Sequence, residues 1–236
     1  MADAIPVERR AQAIEDCTAP ELWIQPGPWG GRGSLGFRGG IGVLVLEGLM
    51  IRRVGIDGRF GAEVIGEGDL LRPNEESVSP LLPLTTEWSI VLPTRVAALD
   101  RTFEQRLAQY PELARGLVAR AIQRSKNLAV NMAIVHQARV DVRLHMLLWH
   151  LAARWGRVRS DGTALRLRLT HTVLADLVAA RRPTVTTALS ELTRRGLVKT
   201  DGESWVLFGE APGGTACLRT RGQPPGRQVR ASSGSR

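Results

Sequence analysis

The sequence is poor in cysteine. Only Cys17 and Cys217 are present, one near each end of 236 residues. That pattern supplies neither a disulfide framework nor the paired spacing of a zinc or iron–sulfur site, so free thiols are expected. Long apolar runs are also lacking. The run 41–46 is cut by Glu47 and is far too short to cross a bilayer. The opening residues, MADAIPVERR, hold no basic stretch followed by an apolar one. No secretory signal is therefore expected, and the expected location is the cytoplasm, with no membrane partner. Catalytic signatures are missing too. There is no G-x-S-x-G turn, no Walker loop and no carboxylate pair set for acid–base work. The Gly-rich segment 27–42 lacks the Lys-Ser/Thr and helix of a phosphate loop and reads as turns of a β domain. The histidines His136, His145, His150 and His171 have no cysteine or carboxylate completing a ligand set. No metal, no cofactor and no enzymatic activity are expected.

Acidic residues are scarce in one part of the chain only. Up to Val140 acidic and basic side chains balance, so the whole net charge of +9 arises after it. One region is thus built to meet a polyanion and the other is not, although the basic tail contributes part of the excess.

Within the basic region, residues 169–198 (LTHTVLADLVAARRPTVTTALSELTRRGLV) show helical spacing twice. Val173, Leu174, Leu177 and Val178 form one stripe; Val185, Ala188, Leu189 and Leu192 form another. Thr170 suits an N-cap, Pro183 suits the start of the second helix, and Gly196 suits its stop. With the second stripe buried, Arg182, Thr186, Thr187, Ser190 and Arg194 lie on or near the other side. A helix face of Arg, Thr and Ser suits a DNA major groove. The plain alternative is a helical hairpin with a solvated face.

The whole chain divides into five parts. Residues 1–20 form a polar leader with helical character over 7–17. Residues 21–108 read as an antiparallel β domain, with strands at 41–46, 49–54, 60–65, 88–92 and 95–99 and a hairpin turn at 56–59. A polar loop is expected at 73–77. Residues 109–140 are dominated by a long helix over 112–139. Its heptad Val118, Ala121, Ser125, Leu128, Met132 and Val135 predicts a dimer seam. The alternative has that stripe packing on its own β domain, but Leu117, Ile122, Val130 and Ile134 form a second stripe able to cover the domain instead. Residues 141–210 read as a helix capped by Asp141, a strand 165–169 with Arg166 and Arg168 on one face, the helical hairpin, and a two-stranded wing turning at Asp201-Gly202. Trp155 and Trp205 are expected in that domain's core. Residues 211–236 are too poor in apolar side chains to fold.

These features resemble the Crp–Fnr family of transcription regulators over roughly residues 37–209. The helix–turn–helix is the most specific part, with the family's R-x-T-V present as Arg182-Pro183-Thr184-Val185. VLVLEGLMIRRVGIDGRFGAEVIGEGDLL resembles the family's cyclic-nucleotide-binding β-roll. Asp141 matches the hinge after the dimer helix. The resemblance implies an α+β fold: an N-terminal antiparallel β-roll, a long dimerisation helix and a C-terminal winged helix-turn-helix. It implies a homodimer on a near-palindromic site in double-stranded DNA, with RNA polymerase as a further partner. Arg182 would read a guanine. Arg181, Thr184, Thr186, Thr187, Ser190, Arg194 and Arg168 would flank the bases or hold phosphates.

Two departures stand out. The family's Arg-Ser-Ala phosphate cassette is replaced just before Trp88 by Thr85-Thr86-Glu87, and no Gly-Glu-Leu follows Gly68-Asp69. The lost arginine would have forked onto a cyclic phosphate, and Glu87 would repel it. Cyclic AMP, the ligand the family implies, is therefore disfavoured by these residues, with Arg72 a substitute from a different place. The usual glycine of the hairpin turn is also replaced, by Ala179-Ala180. The alternative function is a winged helix that binds a protein rather than DNA. The basic half argues against it.

Overall fold

The computed structural model describes residues 5–30, 39–73, 82–201 and 204–212. The polar loop expected at 73–77 lies outside them beyond Pro73, as do the wing tip Gly202-Glu203, Cys217 and nearly all of the tail.

Helix α1 (Val7–Asp16) leads into strands β1 (Glu21–Ile24) and β2 (Gly27–Trp29). Neither strand is legible from the sequence, because each is only three or four residues long. Two long strands follow, β3 (Gly42–Ile56) and β6 (Thr85–Leu99), with β4 (Arg59–Gly66) and β5 (Leu70–Leu71) between them. The sheet order is β1-β6-β3-β4, with β2 on β6 and β5 on β3. The turn between β3 and β4 is as predicted. Asp57 and Gly58 both take positive φ, the twist a two-residue hairpin requires.

Each long strand was expected as two short ones. The chain bends instead of stopping. The β3–β6 register shifts around Glu47 and Leu49, and Gly48 at φ +104 sits in the bend. A Cβ on Gly48 would meet Thr94 Cα at 2.5 Å and the Pro93 carbonyl at 2.6 Å, so only glycine fits. Pro93 falls opposite this irregularity, where a missing ladder N–H is tolerated. Alternate residues of β3 face opposite ways. Val43 and Val45 pack inside the roll with Met50, Ile65 and Val96. Leu44 and Leu46 face outward onto the cluster built on Phe103, Leu107 and Leu113.

Helix α2 (Arg101–Leu107) is capped by Asp100, whose carboxylate accepts from Phe103 N at 2.8 Å. Helix α3 (Pro111–Val135) then runs along the roll. It ends four residues before the expected Arg139. Its buried face holds Leu113, Leu117 and Ile134, plus Arg124 paired with Glu63 at 2.7 and 2.8 Å. The predicted second stripe is corrected here. Ile122 and Val130 are 51% and 43% exposed and do not cover the β domain, because Arg120, Arg124, Asn127 and Asn131 occupy or border that face. Ile122 instead joins Val118 and Met132, which are 58% and 63% exposed, on the outward face with Ala121 and Ser125. Leu128 and Val135 are half-buried.

Helix α4 (Val140–Trp155) is followed by β7 (Gly156–Arg159) and β8 (Gly162–Leu165), helices α5 (His171–Leu177) and α6 (Arg182–Arg194), and strands β9 (Val198–Asp201) and β10 (Ser204–Leu207). Their sheet order is β7-β8-β10-β9. Two expectations are corrected. Asp141 is not the cap of α4: Arg139 holds that position, and Asp141 lies in the first turn, paired with Arg139 at 2.7 Å and Arg195 at 3.5 Å. A carboxylate there is also favoured by the helix dipole. The strand expected at 165–169 stops at Leu165. Beyond it Leu167 and Leu169 stay buried and Arg166 and Arg168 exposed, so the alternation is real but has no ladder partner. Trp205 is in the core as expected, whereas Trp155 is half-buried at the roll. One continuous apolar cluster joins Leu49, Ile51, Ala62 and Val64 of the roll to the helices of the C-terminal domain. Among the described residues no helix is long and apolar enough to cross a membrane.

Candidate nucleic-acid interface

The hairpin α5–α6 is set by local chemistry at both ends of the turn. Thr170 Oγ1 accepts from Val173 N at 3.2 Å and opens α5. The turn needs a left-handed residue, and Ala179 supplies it at φ +49 in place of glycine. That conformation costs a Cβ-bearing residue roughly 1–2 kcal/mol. Arg143 of α4 offsets part of this. Its guanidinium donates to the carbonyls of Val178 at 3.1 Å and Ala179 at 3.3 Å, two acceptors a helix end leaves open. Sequence reasoning missed Arg143, since nothing local in the chain ties it to residues 35 positions away.

Helix α6 buries Val185, Ala188, Leu189 and Leu192 against α4 and α5. This fixes which side faces out. Arg181, Arg182, Thr184, Thr186, Thr187, Ser190 and Arg194 are all exposed, as is Arg168 before α5. Arg181 is the N-cap residue and Arg182 the first helical residue, so both guanidiniums project from the helix start. That is the end from which a recognition helix contacts base edges.

The hydroxyls on this face are already oriented. Thr186 donates to the Arg182 carbonyl at 3.2 Å, Thr187 to Pro183 at 3.2 Å and Ser190 to Thr186 at 3.0 Å. Their protons are turned back along the helix, leaving lone pairs and the threonine methyl groups for a partner. His171 Nδ1 lies 2.9 Å from Thr186 Oγ1 and is a further member of the surface that sequence reasoning did not assign. Arg194 is paired with Glu191 one turn back, a surface pair that competes weakly with any other acceptor. Lys199 is exposed on β9, the first strand of the wing.

The surrounding scaffold is arginine-rich and partly neutralised. Arg53 of β3 reaches Asp176 of α5 at 2.8 Å and Glu87 of β6 at 2.6 Å. His145 of α4 is buried and its pKa is pushed down by that burial, with the nearby Arg195 adding to the effect. Trp149 Nε1 donates to His145 Nε2 at 3.0 Å, a bond that only the neutral ring accepts.

Comparison with known proteins gives the family. The model of the Crp-like helix-turn-helix domain matches residues 142–208. The chain is 30% identical over 172 residues to the CRP-like cAMP-activated global transcriptional regulator of Mycobacterium tuberculosis, covering 70% of this chain and 74% of that protein. The chain belongs to the Crp–Fnr family of transcription regulators. Solved members share the fold. FixK2 from Bradyrhizobium japonicum superposes with a TM-score of 0.61 at 18% identity, over 81% of this chain and 93% of that one. A CooA mutant from Carboxydothermus hydrogenoformans gives 0.59 at 15%, over 80% and 83%. A cyclic nucleotide-binding domain containing protein from Listeria monocytogenes gives 0.62 at 12%, over 87% and 93%. The α+β architecture of β-roll, long helix and winged helix-turn-helix is that of the family.

Proposed function

We propose that this regulator binds a near-palindromic duplex site as a homodimer through α6. The observation that carries the reading is the outward row of Arg181, Arg182, Thr184, Thr186, Thr187, Ser190 and Arg194 on a helix whose other side is locked into the core. Arg182 reads a guanine edge by the two-bond fork. Thr186 and Thr187 offer acceptors, and methyl groups to thymine. Arg181, Thr184, Arg194 and Arg168 hold the backbone. The exposed apolar face of α3 pairs the protomers, setting the two α6 helices roughly 34 Å apart, one turn of DNA.

The roll is proposed to work without the family's cyclic phosphate contact. The relative from Mycobacterium tuberculosis is named as cAMP-activated. Here Glu87 stands near the cassette position and is paired with Arg53 at 2.6 Å. Arg72, the substitute considered from the sequence, donates to the carbonyls of Gly40 and of Ile41, the latter at 3.1 Å. Arg52 and Arg124 are both turned onto Glu63.

Selection of bound sequences from a random duplex pool tests the reading. A two-fold symmetric site whose affinity falls steeply with salt is expected. Recovery of no symmetric site, or a flat salt response, would contradict it.

A further inference from the structure

An open cleft of about 690 Å³ lies between the roll and the winged domain, outside the apolar interior of the roll. This is within the range of small-molecule sites. The roll contributes Trp23, Glu67 and the Gly48 bend. The C-terminal domain contributes Trp155, Arg157 and Arg166.

One wall is built to stay in place. Arg154 Nη2 donates to both carboxylate oxygens of Asp69, at 2.8 and 2.7 Å, and Asp69 is 4% exposed. The same carboxylate accepts from Gly66 N at 2.9 Å. The Arg154 guanidinium lies 3.8 Å from the Trp155 ring centroid, and a Cβ on Gly66 would come within 2.9 Å of that ring. Trp155 is therefore fixed between the two domains. Across the cleft Trp23 is 57% exposed, an unusual state for the largest apolar side chain. Arg95 lies 6.0 Å from its ring centroid and also pairs with Glu21 and Glu47.

Some of the charges are already paired. Asp69 holds Arg154, and Arg95 is shared between Glu21 and Glu47. The exposed guanidiniums of Arg157 and Arg166 and the exposed carboxylate of Glu67 make no ion pair among the described residues, whereas Glu47 is held loosely by Arg95 at 3.7 Å. We propose that this cleft is a binding site for a small aromatic anion. Arg157 and Arg166 hold the anionic group, the two tryptophans line the ring, and Glu67 accepts from an N–H or O–H of the same molecule. The ligand touches both domains, and Arg166 stands four residues before the Thr170 cap of α5. Occupancy thus bears on where the winged domain sits.

Calorimetric titration of the full chain, without DNA, with 1-naphthyl phosphate tests the site separately from any DNA reading. One molecule per chain is expected to bind. Inorganic phosphate, which lacks the ring, and 1-naphthylmethanol, which lacks the charge, should each bind at least about tenfold more weakly. The double variant Arg157→Ala/Arg166→Ala should lose about tenfold in affinity, and Trp23→Ala several-fold, with unchanged thermal melts because all three side chains are exposed. Absence of binding up to millimolar probe, full affinity in the double variant, or equal binding of 1-naphthylmethanol would overturn the proposal.

Discussion

Arg53 Nε lies 2.8 Å from Asp176 Oδ2, so a strand of the roll is ion-paired to the first helix of the helix–turn–helix. Arg53 also holds Glu87 at 2.6 Å and stacks 4.2 Å above Phe60. Its side chain is partly buried, which keeps the contact from being a fully screened surface pair. Asp176→Asn is expected to cost about 1 kcal/mol at most, after allowance for solvent screening. It should speed amide exchange in α5. Unchanged exchange there would show that the ion pair does not hold the two domains together.

Acid acts through His145. Burial holds its pKa below the ordinary value of 6.5, so the unfolded chain binds the proton first as pH falls. The stability this neutral ring contributes is present above pH 6.5 and is lost as pH falls through the lower folded value. His150 shifts the same way, by burial and then by Arg154. An NMR titration of the imidazole signals should place both histidines below 6.5. A value at or above 6.5 for His145 would refute the Trp149-to-His145 hydrogen bond as described.

Ala179 holds a left-handed conformation in the turn before α6. Ala179→Gly removes the Cβ penalty while raising the entropy of the unfolded chain. The first effect is the larger, and a gain of up to about 1 kcal/mol is expected. Arg143→Met should lower stability, since it removes both donors to the carbonyls of that turn. Denaturant melts measure both. A destabilised Ala179→Gly would mean that the alanine side chain makes a contact worth more than its strain.

Most of this architecture could be read from the chain. The helix–turn–helix was legible because its two apolar stripes, its Thr170 cap and its Gly196 stop all agree. Other features were hidden because they depend on distant residues. The bend at Gly48 is fixed by Pro93 and Thr94 on another strand. The ladder of β8 ends where Trp205 and its neighbours end. Asp141 reads as a cap because an acidic residue suits both the cap and the first turn of a helix, and only the backbone shows that it stands in the turn. Of the candidate interface, the exposed positions of Arg182, Thr186, Thr187, Ser190 and Arg194 on α6 were legible from periodicity, while Arg181 and Thr184 came from the family resemblance. His171 and Arg143 were not legible, since their roles appear only when α5 packs beside α6 and α4.

The outward face of α3 carries Val118, Ile122 and Met132, more than half exposed in the single chain. A charge there should prevent pairing without disturbing the buried side of the helix. Ile122→Asp is expected to sediment as a monomer and to lose affinity for a two-fold symmetric DNA site. A dimer that survives this change would move the seam away from α3.

In the proposed complex Arg182 reads a base. In binding to the selected site and to variants with each base pair changed in turn, Arg182→Ala should cost about 1–3 kcal/mol and lose discrimination at one symmetric pair of positions only. Unchanged affinity and unchanged discrimination in Arg182→Ala would contradict the account.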